Sequence, residues 1–408
     1  MTISAEPRPA TLPLLVLGTG ADAHSERGVS CPGELPPASD PALVRRAREA
    51  REALADRAFV LGHHYQRDEV IQFADVTGDS FKLAREAAAR PGAEYIVFCG
   101  VHFMAESADI LTSPEQKVVL PDLAAGCSMA DMADLDAVET AWSELEVVVD
   151  LDSVVPVTYM NSSAALKAFV GRHRGTVCTS ANADSALRWA LGVPYDAAPG
   201  PGLVEHVIAT GRKVLFFPDQ HLGRNTVRAL GFTAKDERVW DPRLATGGLA
   251  ESDLKETTFL LWKGHCSVHQ RFTPDHVAAF RAAHPDGKVV VHPECAHEVA
   301  VLADKIGSTD TIIHYVERAA PGTAIGIGTE IHLVHRLAEE HPELTIVSLD
   351  PLVCPCSTMF RIDLTYLAWV LEGLVEGEVR NRIVVDEATA ADARVALDRM
   401  LEIGGSSF

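Results

Sequence analysis

The sequence predicts an α/β fold built from three successive strand–helix units. Short, continuous apolar runs rich in Val, Ile and Leu recur along the chain, such as "YIVFC" (95–99) and "KVVVHP" (288–293). Such runs read as buried parallel strands, because a strand covered on both faces has no polar side. They alternate with helical segments, which gives parallel sheets with right-handed crossovers. Three times a strand is followed by a short loop and a cysteine: "KVVLPDLAAGC" at Cys127, "TFLLWKGHC" at Cys266 and "LTIVSLDPLVCPC" at Cys356. Each unit then offers a thiol beyond the C-terminal end of a strand, where open α/β sheets place ligands.

The elements follow in order. Residues 1–40 are rich in Pro, Gly and Ser and read as a flexible N-terminal extension in which Cys31 has no role. "PALVRRAREAREALAD" (41–56) reads as a charged amphipathic helix. Further strands are read at "AFVLG" (58–62), "KVVLP" (117–121), "VPVTYM" (155–160), "TVCTS" (176–180), "KVLFFP" (213–218), "TFLLW" (258–262), "AIGIG" (324–328) and "LTIVSL" (344–349). This divides the chain into α/β domains at 41–150, 151–266 and 267–375. A C-terminal helical segment, 376–408, packs on the body. Its "DEATAADARVALDRML" puts Asp and Glu at the start of a helix, where they suit the dipole.

Composition excludes several function classes. The 408 residues are 47% hydrophobic and 23% charged, an ordinary globular balance. No apolar run approaches about 18 residues, so no membrane span is expected. The short apolar start "TLPLLVLGTGADA" lacks a basic n-region and does not read as a signal peptide. A net charge of −21 argues against nucleic-acid or anionic-membrane surfaces. Eight cysteines scattered over a long chain without a secretory signal fit a reducing, cytoplasmic setting rather than a disulfide framework.

Cys99 and Cys178 lie within strand runs and read as buried hydrophobes, with Cys295 structural as well. Cys127, Cys266 and one of Cys354 and Cys356 lie in loops past strands. Three thiolates suit an iron–sulfur cluster with one iron left open. Zinc competes, since Cys266 and His269 stand at C-x2-H spacing, although Cys354-Pro355-Cys356 is tighter than the usual C-x2–4-C.

Several runs end in hydroxyl- or amide-bearing turns before a helix, at Ser80, at Asn161 and Ser162, at Ser180 and at Thr309. Each reads either as an ordinary N-cap or as an anion site at a helix N-terminus. Four such termini spread over the units that carry the thiols point to a small ligand with several negative charges. Acid–base candidates also stand at strand ends: His63 and Tyr65 in "LGHHYQ", Tyr159 in "VTYMN", and His292 and Glu294 in "VVVHPECAHE". A buried Glu294 is expected to have the raised pKa of a general base.

Together the stretches "GHHYQRDEVIQFADVTGDS", "VVLPDLAAGCSMADM", "YMNSSAALKAFVG", "FFPDQHLGRNT", "LWKGHCSVHQRF", "VHPECAHEV" and "CPCSTMFRIDL" resemble the quinolinate synthase family of NAD biosynthesis. The resemblance implies three pseudo-symmetric, three-layer α/β/α domains with short parallel sheets around a central active site. It implies one 4Fe–4S cluster on Cys127, Cys266 and Cys356, with the open iron as a Lewis acid. It implies condensation of iminoaspartate with dihydroxyacetone phosphate to quinolinate, phosphate and water. Substrate contacts would fall on His63, Ser80, Tyr159, Asn161, Ser180, His292, Glu294 and Thr309. Glu294 would lead the proton transfers, with Tyr159, His292 and Tyr65 beside it. An L-aspartate oxidase could hand over the unstable imine. Rival readings are an aconitase-like hydro-lyase and a non-catalytic metal or oxygen sensor. Phe360 departs from the family pattern, which puts in doubt the packing behind the ligand loop.

Overall fold

The computed structural model describes residues 40–352 and 355–405. The N-terminal extension with Cys31, and Cys354, lie outside the described residues. Three mostly parallel sheets with flanking helices make up the chain. The first sheet holds β1 (Ala58–His63), β2 (Val76–Gly78), β3 (Tyr95–Cys99) and β4 (Lys117–Val119). The second holds β5 (Val154–Tyr159), β6 (Thr176–Cys178), β7 (Lys213–Phe217), β8 (Glu237–Trp240) and β9 (Phe259–Trp262). The third holds β10 (Lys288–Val291), β11 (Lys305–Ile306), β12 (Ala324–Gly328) and β13 (Thr345–Ser348).

Their spatial orders are β2-β1-β3-β4, β6-β5-β7-β9-β8 and β11-β10-β12-β13. In each, the second strand of the unit lies beside the first, the third beside the first on its other side, and the strand that leads to the cysteine comes next. The repeat sensed in the sequence is thus a repeat of topology.

The apolar runs form strands because both faces are covered. In the third sheet Val290 and Ile327 feed a core on one face, and Val289 and Val291 a core on the other. Strand ends are shorter than the runs imply at "KVVLP", "KVLFFP" and "KVVVHP". The pairing stops short of Pro121, Pro218 and Pro293, which have no N–H for a ladder. The strands β2, β8 and β11 escape the sequence reading. They are short edge strands carrying polar or charged residues, so no continuous apolar run marks them.

The C-terminal segment does more than add helices. Its β14 (Arg382–Ile383) pairs antiparallel with β4 and extends the first sheet. The helix Leu364–Glu376, which the sequence division puts in the third unit, packs on the helix Pro41–Leu54 of the first. There Arg46 grips Glu372 through two hydrogen bonds of 2.7 Å. The final helix, Glu387–Gly405, lies on the helix Ala164–Arg172 of the second unit. Close approach there depends on Gly171, because a Cβ at that position would overlap the Asp392 carbonyl oxygen. Gly171→Ala is expected to lower stability by about 1–3 kcal/mol, as overpacking does, read as a lower thermal midpoint. An unchanged midpoint would mean that the two helices can slide apart at no cost.

Candidate functional site

The three thiols and all the substrate and acid–base candidates that the resemblance implies line one cavity of ≈ 70 Å³, whereas Ser162 lies outside it and donates to the Tyr159 carbonyl. The residues come from the C-terminal ends of equivalent strands. First strands supply His63 and Tyr65 at and after the end of β1, Tyr159 and Asn161 at and after the end of β5, and His292 and Glu294 after β10. Second strands supply Ser80 after β2, Ser180 after β6 and Thr309 after β11. The strands β4, β9 and β13 lead to Cys127, Cys266 and Cys356. Each unit therefore gives the cavity two polar side chains at the end of its first strand, one hydroxyl after its second and one thiol. Larger clefts of ≈ 770 and ≈ 630 Å³ open elsewhere on the surface and contain none of these residues.

The hydroxyls are not the helix caps. Asp79 caps the helix Ser80–Ala88, Ser163 the helix Ala164–Arg172 and Ser308 the helix Thr309–Glu317, each by accepting an N–H two residues into the first turn. Ser80 and Thr309 are instead the first helical residues, where a hydroxyl can face the cavity beside free N–H groups. The buried Asn161 Oδ1 and Thr309 Oγ1 have no hydrogen-bond partner among the described residues. Leaving such an atom unpaired costs about 1–3 kcal/mol, and both residues line the cavity, where a bound group can pair with them. In a chain of net charge −21, these helix ends supply the local positive potential that an anion needs.

Glu294 is the electrostatic centre. Its carboxylate lies 2.7 Å from His269 Nδ1 and 3.7 Å from His292 Nδ1. The two imidazoles stack with centroids 4.6 Å apart. The Tyr159 hydroxyl donates to the same carboxylate and is also bonded to Ser180. Burial alone would raise Glu294, but His292, His269 and the Tyr159 hydroxyl outweigh it and bring it down to about 2. The raised pKa expected from the sequence is thus corrected: burial is present, but the imidazoles override it. His292 is lowered to about 3 by burial, against the pull of Glu294. His63 is lowered to about 3 by burial and by the neighbouring His64. Burial and the Glu294 charge push both tyrosines well up. At neutral pH the cavity thus holds a carboxylate, two neutral imidazoles and two protonated phenols.

Two residues absent from the sequence reading stand beside these groups. Thr329, just past β12, bonds the Tyr65 hydroxyl at 2.7 Å and His269 Nε2 at 3.1 Å. Asp79 lines the cavity beside Ser80. Both follow strand ends directly, the signal that found the others.

Burial raises each of the three thiols, and Cys356 adds to the rise at Cys127 and Cys266. The three are therefore near enough to repel one another as anions. Buried thiolates beside a glutamate are costly unless a cationic centre binds them, so the donor set fits a metal group. Cys266, His269 and Glu294 also offer ligand atoms within 4.8 Å of one another. Cys99, Cys178 and Cys295 are fully buried, as the sequence reading had them. Phe360 is accounted for: its ring lies 3.6 Å beneath the Arg67 guanidinium, which also donates to the Phe360 carbonyl at 2.8 Å. Cation–π contact thus ties the Cys356 loop to the Tyr65 loop.

Fold and cavity define an α/β enzyme with a thiol-lined, metal-competent centre where three sheets meet. A family model described as "Quinolinate synthetase A protein" matches residues 45–402. The quinolinate synthase of Nocardioides sp. is 60% identical over 403 residues, 98% of each chain. That of Streptomyces coelicolor is 58% identical over 399 residues, 97% of each chain. That of Corynebacterium glutamicum is 53% identical over 394 residues, 95% of this chain and 96% of the relative. The chain belongs to the quinolinate synthase family, and it is an enzyme of NAD biosynthesis. Among the described residues, no helix is long and apolar enough to cross a membrane.

Proposed function

We propose that the chain condenses iminoaspartate with dihydroxyacetone phosphate to quinolinate, releasing phosphate and water, in the cytoplasm. The observation that carries this reading is the convergence of three thiols, three hydroxyl-bearing strand ends and the Glu294 network on one cavity. Cys127, Cys266 and Cys356 would hold a 4Fe–4S cluster. With three protein ligands, such a cluster keeps one iron open and supplies a Lewis acid for a substrate oxygen.

The remaining chemistry belongs to the side chains. The substrates carry two carboxylates and a phosphate, which suit Ser80, Ser180 and Thr309 at or near helix starts, and Asn161 with its free Oδ1. His63 and His292, neutral at working pH, serve as hydrogen-bond partners rather than as cations. Ring closure and dehydration require proton removal from carbon and nitrogen. Glu294 is ionised and ready to accept, though at about 2 it is a weak base. Bound substrate anions place like charge beside it, which raises a carboxylate's pKa towards the useful range. Tyr159 lies on the same carboxylate and passes protons to or from it, and Tyr65 is tied to the same network through Thr329 and His269.

A second reading, a zinc site, is favoured by the Cys266, His269 and Glu294 group. It would cost His269 the contact made by the nitrogen that binds the metal, with Glu294 at Nδ1 or with Thr329 at Nε2. Mixing the anaerobically purified protein with both substrates distinguishes the rivals. Quinolinate and phosphate are expected to appear in equal amounts. Hydration of a dicarboxylate without phosphate release would support the aconitase-like reading instead. Because imines hydrolyse in water, hand-over from an L-aspartate oxidase is expected to raise the yield, and a coupled assay with no gain would count against it.

A further inference from the structure

In each unit the helix after the third strand reaches into the next unit. These helices are His102–Leu111, Gln220–Ala229 and Ile331–Glu340. Asn225, buried on the second, spends both amide N–H groups on carbonyls of the third unit, Pro293 at 2.9 Å and Cys295 at 2.8 Å. Those are the carbonyls on either side of Glu294. Its Oδ1 meets His297 Nδ1 at 2.8 Å.

Arg336, on the third helix, repeats the arrangement on the first unit. It donates to the His64 carbonyl at 3.1 Å and the Gln66 carbonyl at 2.8 Å, on either side of Tyr65. Its Nε is anchored by Asp68 at 2.8 Å. Glu106, on the first helix, accepts the Ala164 N–H of the second unit at 3.0 Å. Beside it, the buried Lys167 donates to the Ser162 carbonyl, next to Asn161. The order is cyclic: the first unit holds the second, the second the third, and the third the first.

The clamped loops share one internal geometry. The Tyr65 N–H donates to His63 Nδ1 at 3.1 Å and the Glu294 N–H to His292 Nδ1 at 3.4 Å. The Gln66 and Cys295 N–H groups donate to the carbonyls of the same two histidines, at 2.9 and 3.0 Å. The clamp on the preceding carbonyl holds the peptide unit before Glu294 or Tyr65, and the Cys295 or Gln66 N–H bound to the histidine carbonyl holds the unit after it. Peptide units are planar, so holding both fixes the direction of the Cα–Cβ bond, and the clamp on the next carbonyl secures the turn that follows. Side chains that must stand within about half an ångström of their working place need such support.

We propose that Asn225 and Arg336 are positioning residues that aim Glu294 and Tyr65 by clamping the carbonyls on either side of each, and that with Glu106 they close the three site loops into a ring. This rests on the roles given above to Glu294 and Tyr65.

The test uses the anaerobically purified holoenzyme and two variants, Asn225→Asp and Arg336→Lys. The first is isosteric and removes both donors, and the second keeps the charge but loses the fork. Amide hydrogen exchange is followed over 294–296 and over 64–66, beside kcat and KM. Asn225→Asp is expected to speed exchange over 294–296 by about tenfold and leave 64–66 unchanged, with Arg336→Lys giving the converse. In both, kcat falls by about 10–100-fold while KM holds within about threefold and the thermal midpoint stays near that of the parent. Exchange that does not change, that rises equally in both loops, or that rises locally without any fall in kcat overturns the proposal. Should the parent form no quinolinate, the functional reading fails through the kinetics, while the exchange pattern still decides whether the clamps exist.

Discussion

Glu294→Gln is expected to lower the rate of quinolinate formation by about 10²–10⁴-fold, equivalent to about 3–5 kcal/mol in the barrier. The substitution keeps the shape and removes the charge. Three groups depend on that charge: His269 at 2.7 Å, His292 at 3.7 Å and the Tyr159 hydroxyl. Without it, no ionised proton acceptor remains between the imidazoles. KM is expected to change little or to fall, since the variant removes a like charge from beside anionic substrates. Steady-state kinetics with both substrates varied gives the split. A variant that retains more than about a tenth of the parent kcat would remove Glu294 from the proton transfers.

Replacing any one of Cys127, Cys266 and Cys356 by Ser is expected to abolish the metal centre and turnover together. A hydroxyl in a buried site does not ionise as a thiol does, so the donor set falls from three anions to two. Cys178→Ala, at the end of the edge strand β6, should leave both intact, because Cys178 is fully buried among apolar residues and does not line the cavity. Iron and sulfide content, measured on protein purified without oxygen, separates the cases. Cys354→Ser is expected to retain the cluster. Loss of iron in that variant, with retention in Cys356→Ser, would reverse the assignment of the third ligand.

Much of the fold was legible because parallel strands covered on both faces must be apolar throughout. The runs at 95–99 and 324–328 match β3 and β12 residue for residue. Short edge strands such as β11, with two residues, bury too little to leave a pattern. The cavity was legible for a related reason: chemistry stands at the C-terminal strand ends, and the repeats His63-x-Tyr65, Tyr159-x-Asn161 and His292-x-Glu294 mark equivalent places.

What the sequence concealed depends on contacts between distant segments. Of the two readings open at Ser80 and Thr309, the N-cap fails, because the residue before each is the cap. Asp79-Ser80 and Ser308-Thr309 each offer two adjacent cap-forming residues, and only backbone geometry decides between them. The Glu294 pKa was expected to rise with burial. It falls because His292, and His269 from the loop after β9, are folded against it. The clamps of Asn225 and Arg336 join units far apart in the chain, so no local spacing reveals them.

The central claim is that three thiols, one from each unit, jointly hold an iron–sulfur cluster in the cavity that contains Glu294. Metal and sulfide analysis of the anaerobically purified chain tests it most directly. About four iron and four sulfide per chain are expected, with a broad visible absorption that disappears in the Cys266→Ser variant. One zinc per chain and no sulfide would contradict it.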